Sequence, residues 1–516
     1  MEAPLNNTKF NLDVSGIVGF LGGGEAISAM ESMHFNKYRK WLGWYNSPGS
    51  YDIAKHYGRL ARSRIWDGIY PGPNDEPAKL LGMDEEKGPR YRGIVSGTTL
   101  NNTGHVGHIF AQYCHDLKAT VSQYSSDPVF SNQRQTTLII DDKRTSTTES
   151  VEMNQSLMKN DAVELSNTPV PGRKTKVMNV VVVDFEENSD NGGALVGEAD
   201  TLLQLAHTES PLWSVAIASV PIFLNLVCCI LSGLYDEWFA FGVILYGILC
   251  NGIACYFIGS AKIYLRHTIP SPHSPPGNGI LEHESDTLIV CRGSEKAVNR
   301  VKGKFIVRYG KDGKDKTYHK IGFSAISLTT QFIAQLFLIP LSGLFGQIMF
   351  LSTLAISWIY NAYLSSIDKG QLQQHLLMKN LHTTVKKLEL PTRTSAVVFA
   401  MLCGLPGEDP GKPASIKKRA EGIMSHMLPT GTEVWDKWRT LVSDRVHTLS
   451  DIKKDRAEPP PTLFDFAESE LQEFDGGNKN LLKDLLDDAR GGYKSYLFLK
   501  SVGAAPNPNT HSNSPA

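Results

Sequence analysis

The sequence predicts an α-helical polytopic membrane protein: four transmembrane helices as two hairpins, with mixed α/β soluble flanks and a disordered tail. Two observations carry this reading. Residues 321–367, IGFSAISLTTQFIAQLFLIPLSGLFGQIMFLSTLAISWIYNAYLSSI, run for forty-seven positions without Asp, Glu, Lys or Arg. Pro211–Tyr235 and Trp238–Ala261 are two further charge-free runs, parted only by Asp236 and Glu237. A hydrocarbon core of about 30 Å takes roughly 20 apolar residues per helix. The longest run therefore holds two spans, reversed at Pro340–Gly343, and each shorter run holds one.

Whole-chain numbers exclude little else. The 516 residues carry 52 Lys and Arg against 53 Asp and Glu, so nothing calls for nucleic acid. The mean hydropathy of −0.20 reflects long polar flanks, and local windows decide the class. Of seven cysteines, Cys228, Cys229, Cys250 and Cys255 lie in apolar runs as small hydrophobes, and no CxxC pattern or disulfide framework appears. Glu2, Lys9, Asp13 and a glycine-broken apolar piece do not read as a signal peptide.

Residues 1–210 form a polar region, expected to be cytoplasmic and partly disordered. Within it, Thr136–Asp141 and Val177–Phe185 read as strands, and Ser50–Trp66 as a helix with Ser50 as N-cap. Thr145–Pro171 and Glu186–Asp200 have linker composition.

In the first hairpin, 211–261, small and polar residues recur every four positions. Pro221, Asn225, Cys229 and Gly233 make one stripe; Gly247, Asn251, Cys255 and Gly259 make the other. Helices in lipid associate through such faces. Asn225 is expected opposite Gly247, and Asn251 is expected to satisfy the Ile217 carbonyl that Pro221 leaves without its donor.

Residues 262–320 read as a basic, strand-containing loop, with twelve basic against six acidic residues. Basic residues near helix ends mark the cytoplasmic side, which with four spans places both termini there. Anionic lipid head groups are a fitting partner for this loop, at about 1 kcal/mol per Lys or Arg.

After the second hairpin (321–367), 368–450 reads as a helical cytoplasmic region. Its leucines and Val385 suggest one helix running up to Pro391, followed by the buried apolar segment Ser395–Leu405. Two more helices follow, SIKKRAEGIMSHML and EVWDKWRTLVSDRVHTL, the second with Thr432 as N-cap. Residues 451–516 read as a mostly disordered tail with a short helix at Leu481–Arg490.

Gln331, Gln335 and Gln347 are the polar intramembrane residues of the second hairpin. Interhelical hydrogen bonds of about 0.6 to 2 kcal/mol each account for them, and lining a substrate path is the alternative. The four runs contain no acidic or basic residue and no His, which disfavours an ion-coupled carrier. His105, His108, Cys114 and His115 concentrate metal-ligating types, but no second pair follows, so a polar surface is the reading. GFLGGGE (Gly19–Glu25) lacks the GK[ST] ending of a phosphate loop and reads as a turn. No catalytic, cofactor-binding or metal constellation assembles. Trp213, Trp238, Trp358, Tyr360 and Tyr363 sit near run ends as interface anchors.

The run RGSEKAVNRVKGKF (Arg292–Phe305) and the hairpin after it resemble a group of uncharacterised multi-pass membrane proteins of mushroom-forming fungi. The likeness covers roughly residues 285–370, with weaker echoes in the first hairpin and in TEVWDKWRTLV (Thr432–Val442). It implies a fungal membrane protein and brings no functional residue. The function expected is a non-enzymatic structural or interaction component of a membrane, contacting the bilayer and, through its cytoplasmic flanks, protein partners. The alternatives are a subunit of an oligomeric channel or transporter, and a membrane-tethered enzyme with its site in the N-terminal region.

Overall fold

Four helices form the apolar half of the molecule: Leu212–Leu234, Trp238–Ile258, Thr317–Leu338 and Leu344–Ser365. Each is long and apolar enough to cross a membrane, by length and composition. The computed structural model describes residues 22–36, 38–61, 64–72, 76–117, 121–123, 136–141, 177–186, 195–196, 200–205, 212–309, 317–405, 414–454 and 458–504. The expected linker Thr145–Pro171, Gly19 to Leu21 of the glycine cluster and the last twelve residues lie outside these.

The first apolar helix packs on the fourth and the second on the third. Large apolar side chains, among them Phe223, Ile230, Phe337 and Ile359, point outward around the bundle. At the hairpin tips Glu237 Oε2 accepts the Gly343 backbone N–H at 2.8 Å, which joins the two hairpins where the fourth helix starts. A carboxylate there satisfies an N–H that the helix itself leaves without a partner and opposes the positive end of its dipole.

At the other end of the bundle the flanks form one α/β unit. An eight-stranded sheet runs in the order Thr99–Leu100, Arg90–Gly93, Gly279–His283, Thr287–Arg292, Met178–Phe185, Thr383–Leu390, Thr136–Asp141, Val121–Gln123. It therefore draws strands from before the first apolar helix, from between the hairpins and from after the fourth. Met178–Phe185 lies at the centre, parallel to Thr287–Arg292 and antiparallel to Thr383–Leu390. Its Val180, Val181, Val182 and Val183 are all fully buried, as the unbroken apolar run of a strand covered on both faces must be.

One face of the sheet is covered by helices Arg393–Gly404, Ala414–Met427, Glu433–Lys454 and Gly476–Ala504. The other meets helix His105–Asp116 and, through the same core, the ends of the second and third apolar helices. A smaller sheet, Lys304–Arg308, Lys262–Thr268, Asp200–Gln204, Leu195–Val196, continues directly from the second apolar helix.

Several local expectations differ from what forms. The helix after the fourth apolar helix ends at Leu381, and Thr383–Leu390 is a strand between two others. His382 turns the chain at φ 46°, and the β-branched Thr383, Thr384 and Val385 fit the pleat, while the spacing of Leu381, Val385 and Leu388 only imitates a helical face. In place of a mostly disordered tail, Gly476–Ala504 is a 29-residue helix. It buries Leu482, Leu485, Leu486, Ala489 and Tyr493 against Arg393–Gly404 and Glu433–Lys454, and Trp438 Nε1 donates to the Leu485 carbonyl at 2.9 Å. Gly49, not Ser50, caps the helix Ser50–Gly58, and a second short helix follows at Arg64–Ile69. Gly22 opens a helix, Gly23–Glu31, where a turn is expected.

Candidate functional site

The segment Arg39–Ser50 leaves the polar flank and enters the middle of the apolar bundle. Its sequence, RKWLGWYNSPGS, has turn formers at Asn46–Gly49 and no repeating apolar period, so after one 3-10 turn at Arg39–Trp41 the backbone is irregular from Leu42 to Gly49. It hangs between helices Gly23–Glu31 and Ser50–Gly58, which pack on the fourth and third apolar helices respectively. Gly49 closes this loop with φ 71°, and a Cβ there would lie 2.7 Å from Gly23 Cα, so only glycine serves.

Asn46 is the hub. It is fully buried, and its backbone N–H donates to Asn225 Oδ1 of the first apolar helix at 3.0 Å. Its Nδ2 donates to Thr353 Oγ1 of the fourth at 3.0 Å. Its Oδ1 accepts from Gln331 and Gln335 of the third, each at 3.2 Å. The second helix contributes Gly247, where a Cβ would lie 2.2 Å from Asn46 Oδ1. One residue, through its backbone N–H and its side chain, thus meets all four helices.

The neighbours of Asn46 extend the network. Asn225 Nδ2 donates to Ser357 Oγ at 3.1 Å and to the Pro221 carbonyl at 2.8 Å. Tyr45 donates its hydroxyl to Asn361 Oδ1 at 2.8 Å, and Asn361 Nδ2 donates to Ser47 Oγ at 3.1 Å. Arg39 donates to the Tyr360 hydroxyl, with its guanidinium carbon 5.1 Å over the Tyr360 ring. A charge is therefore buried beside the fourth helix, which has no charged residue of its own, and Tyr360 is an internal partner and not an interface anchor.

The bonding is incomplete. Asn251 Oδ1 and Gln331 Oε1 are buried acceptors without a hydrogen-bond partner. No family model, curated protein or solved structure matches this chain. The site is read from its geometry.

The residues singled out in sequence fall into three groups. Gly247, Asn251, Cys255 and Gly259 face the inserted segment instead of the first helix. Asn251 Nδ2 donates to the Gly43 carbonyl at 2.7 Å, so it does not serve Ile217. A Cβ on Gly43 would lie 2.3 Å from Cys255 Sγ, and one on Gly259 would lie 2.6 Å from Lys40 Cβ. Cys229 and Gly233 meet Phe241 across the first hairpin, and Asn225 joins the hub. Gln331 and Gln335 stand together, but Gln347 turns to the tip and donates to the Ser342 carbonyl at 3.1 Å.

Sequence reasoning missed Arg39, Tyr45, Asn46, Thr353, Ser357 and Asn361. The last three recur every four residues on the fourth helix, the same signal as the stripes of the first hairpin. His105, His108, Cys114 and His115 lie on helix His105–Asp116. His105 Nδ1 accepts the Glu86 N–H, and its Nε2 lies 2.7 Å from Gln373 Oε1. Cys114 is fully buried. His108 and His115 both approach His283, ring centres 6.4 and 5.9 Å apart. Burial holds the His108 and His283 imidazoles below their ordinary range.

Proposed function

We propose that the protein is a multi-pass integral membrane component with a structural or interaction role, fastening a soluble α/β unit to the bilayer. The observation that carries this is Asn46. Irregular backbone at membrane depth is tolerated where it is buried in protein or lines a cavity. Here Asn46 bonds to the first, third and fourth helices and abuts the second, so chain occupies the centre through which a solute would pass.

The basic residues near the helix ends support a cytoplasmic α/β unit, which is the surface for protein partners. Anionic lipid is the fitting partner of the smaller sheet. Lys304 stands directly across from Arg266 and Arg308 across from Lys262. Lys304 also pairs with Glu76 at 3.7 Å, and a basic strand pair of this kind attracts phosphate head groups.

A second reading, a channel or transporter subunit, is favoured by the unpartnered acceptors Asn251 Oδ1 and Gln331 Oε1, which water in a path would satisfy. One experiment separates the two. Cysteine is placed at Asn46, Gln331 or Gln335 in a chain freed of its native cysteines, and membrane-impermeant thiol reagents are applied to sealed vesicles. Protection of all three fits the filled bundle; labelling of any one supports the conduit.

A further inference from the structure

Helix His105–Asp116 ends beside the hairpin turn that links Gly279–His283 to Thr287–Arg292. There His115, Glu284 and Asp286 each offer one ligand atom, and these atoms lie within 4.8 Å of one another. A fourth group stands next to them. His283 is 7% exposed, its Nε2 has no hydrogen-bond partner, and that nitrogen is 3.9 Å from Glu284 Oε1. Burying a ring nitrogen without a partner is costly, and this one has a carboxylate oxygen within ion-pair distance.

We propose that His115, Glu284 and Asp286, completed by His283, bind one divalent transition-metal cation. Two imidazoles and two carboxylates form a nitrogen and oxygen donor set of the kind zinc accepts. Zinc bonds of about 2.0 to 2.2 Å bring donor atoms to roughly 3.3 Å from each other in a tetrahedron. Side-chain rotation closes the remaining gap, and exposed Glu284 is free to make it. The helix end is held for the purpose: Lys387 Nζ donates to the His115 carbonyl at 2.7 Å and to the Leu117 carbonyl at 2.9 Å. Asp116 Oδ1, 3.2 Å from His115 Nδ1, places a further carboxylate at the edge of the site.

Sequence spacing shows no second ligand pair because the partners of His115 arrive from a hairpin beyond the first two apolar helices.

The test uses the full chain in detergent micelles, dialysed against Zn²⁺, with bound metal counted by elemental analysis and affinity measured by calorimetry. The expected result is about one Zn²⁺ per chain. Glu284→Gln and Asp286→Asn should each weaken binding by ~10- to 100-fold or more, at least the loss typical of outer-shell changes. His447→Ala, at a histidine that pairs with Asp451 within helix Glu433–Lys454, should leave binding unchanged. Glu284→Gln alters an exposed turn residue, so an unchanged melting temperature certifies the fold. Absence of bound zinc, or equal zinc binding by wild type and Glu284→Gln, overturns the proposal.

Discussion

Asn251 Nδ2 donates to the carbonyl oxygen of Gly43 at 2.7 Å, across 208 residues of chain. That bond joins the small-residue face of the second apolar helix to an irregular segment from the N-terminal flank. The same face admits Trp44 beside Gly252, where a Cβ would lie 2.3 Å from Trp44 Cε3. The stripe is a seat for backbone and aromatic side chains, which explains its small residues without a second helix.

Gly43→Ala should therefore lower stability by about 1 to 3 kcal/mol through overpacking, because its Cβ would lie 2.4 Å from Cys255 Cβ. Cys255→Gly should recover part of that loss. A double-mutant cycle read by denaturant unfolding in detergent should give a coupling of at least about 0.5 kcal/mol. Additive effects would mean that the two residues do not meet.

Asn46→Ala removes three side-chain bonds and leaves Gln331, Gln335 and Thr353 with unmatched groups. Buried bonds of this kind are worth about 0.6 to 2 kcal/mol each, so the loss of three should be about 2 to 6 kcal/mol. Segment 39–50 should also become sensitive to protease in micelles. A variant with wild-type unfolding would remove Asn46 from the centre of the bundle.

Glu237 and Gly343 lock the two hairpin tips. Glu237→Ala should cost about 1 kcal/mol, the usual loss of a helix-start acceptor. Glu237→Gln, which keeps an oxygen acceptor, should cost less. Thermal unfolding of both variants checks the order, and equal melting of all three chains would show that the tips do not depend on this contact.

Burial holds the Lys453 ammonium below its ordinary value, with Arg292 repelling it and its Nζ 5.1 Å over the Tyr496 ring. The unfolded chain then binds this proton more tightly than the folded one. Between the lowered value and about 10.5 the unfolded state carries more charge on this group, so its contribution to stability rises with pH. Lys453→Met should remove that rise, seen as the difference between two unfolding series over alkaline pH. A parallel dependence in both chains would contradict the assignment.

Asn101, within an NNT sequon, is exposed in the N-terminal flank. Expressed in microsomes, the chain should carry no glycan there and should lose the α/β unit to added protease. A glycan at Asn101 would place the whole unit on the opposite side, since its sheet mixes strands from all three flanks.

The sequence alone determined the four apolar helices, the short links that join the first to the second and the third to the fourth, and the strand around Val180–Val183. Each of these follows from local quantities: the length of a charge-free run, the length of a link, a β-branched stretch bounded by charge. Only the tertiary structure decided that residues 39–50 fill the bundle, that Thr383–Leu390 joins a sheet, and that Gly476–Ala504 has a core to cover. Asn225, Asn251 and Gln331 each bond to the inserted segment, to partners 179, 208 and 285 residues away. No periodicity encodes a partner at such a distance; the closing of the bundle around an irregular chain supplies it.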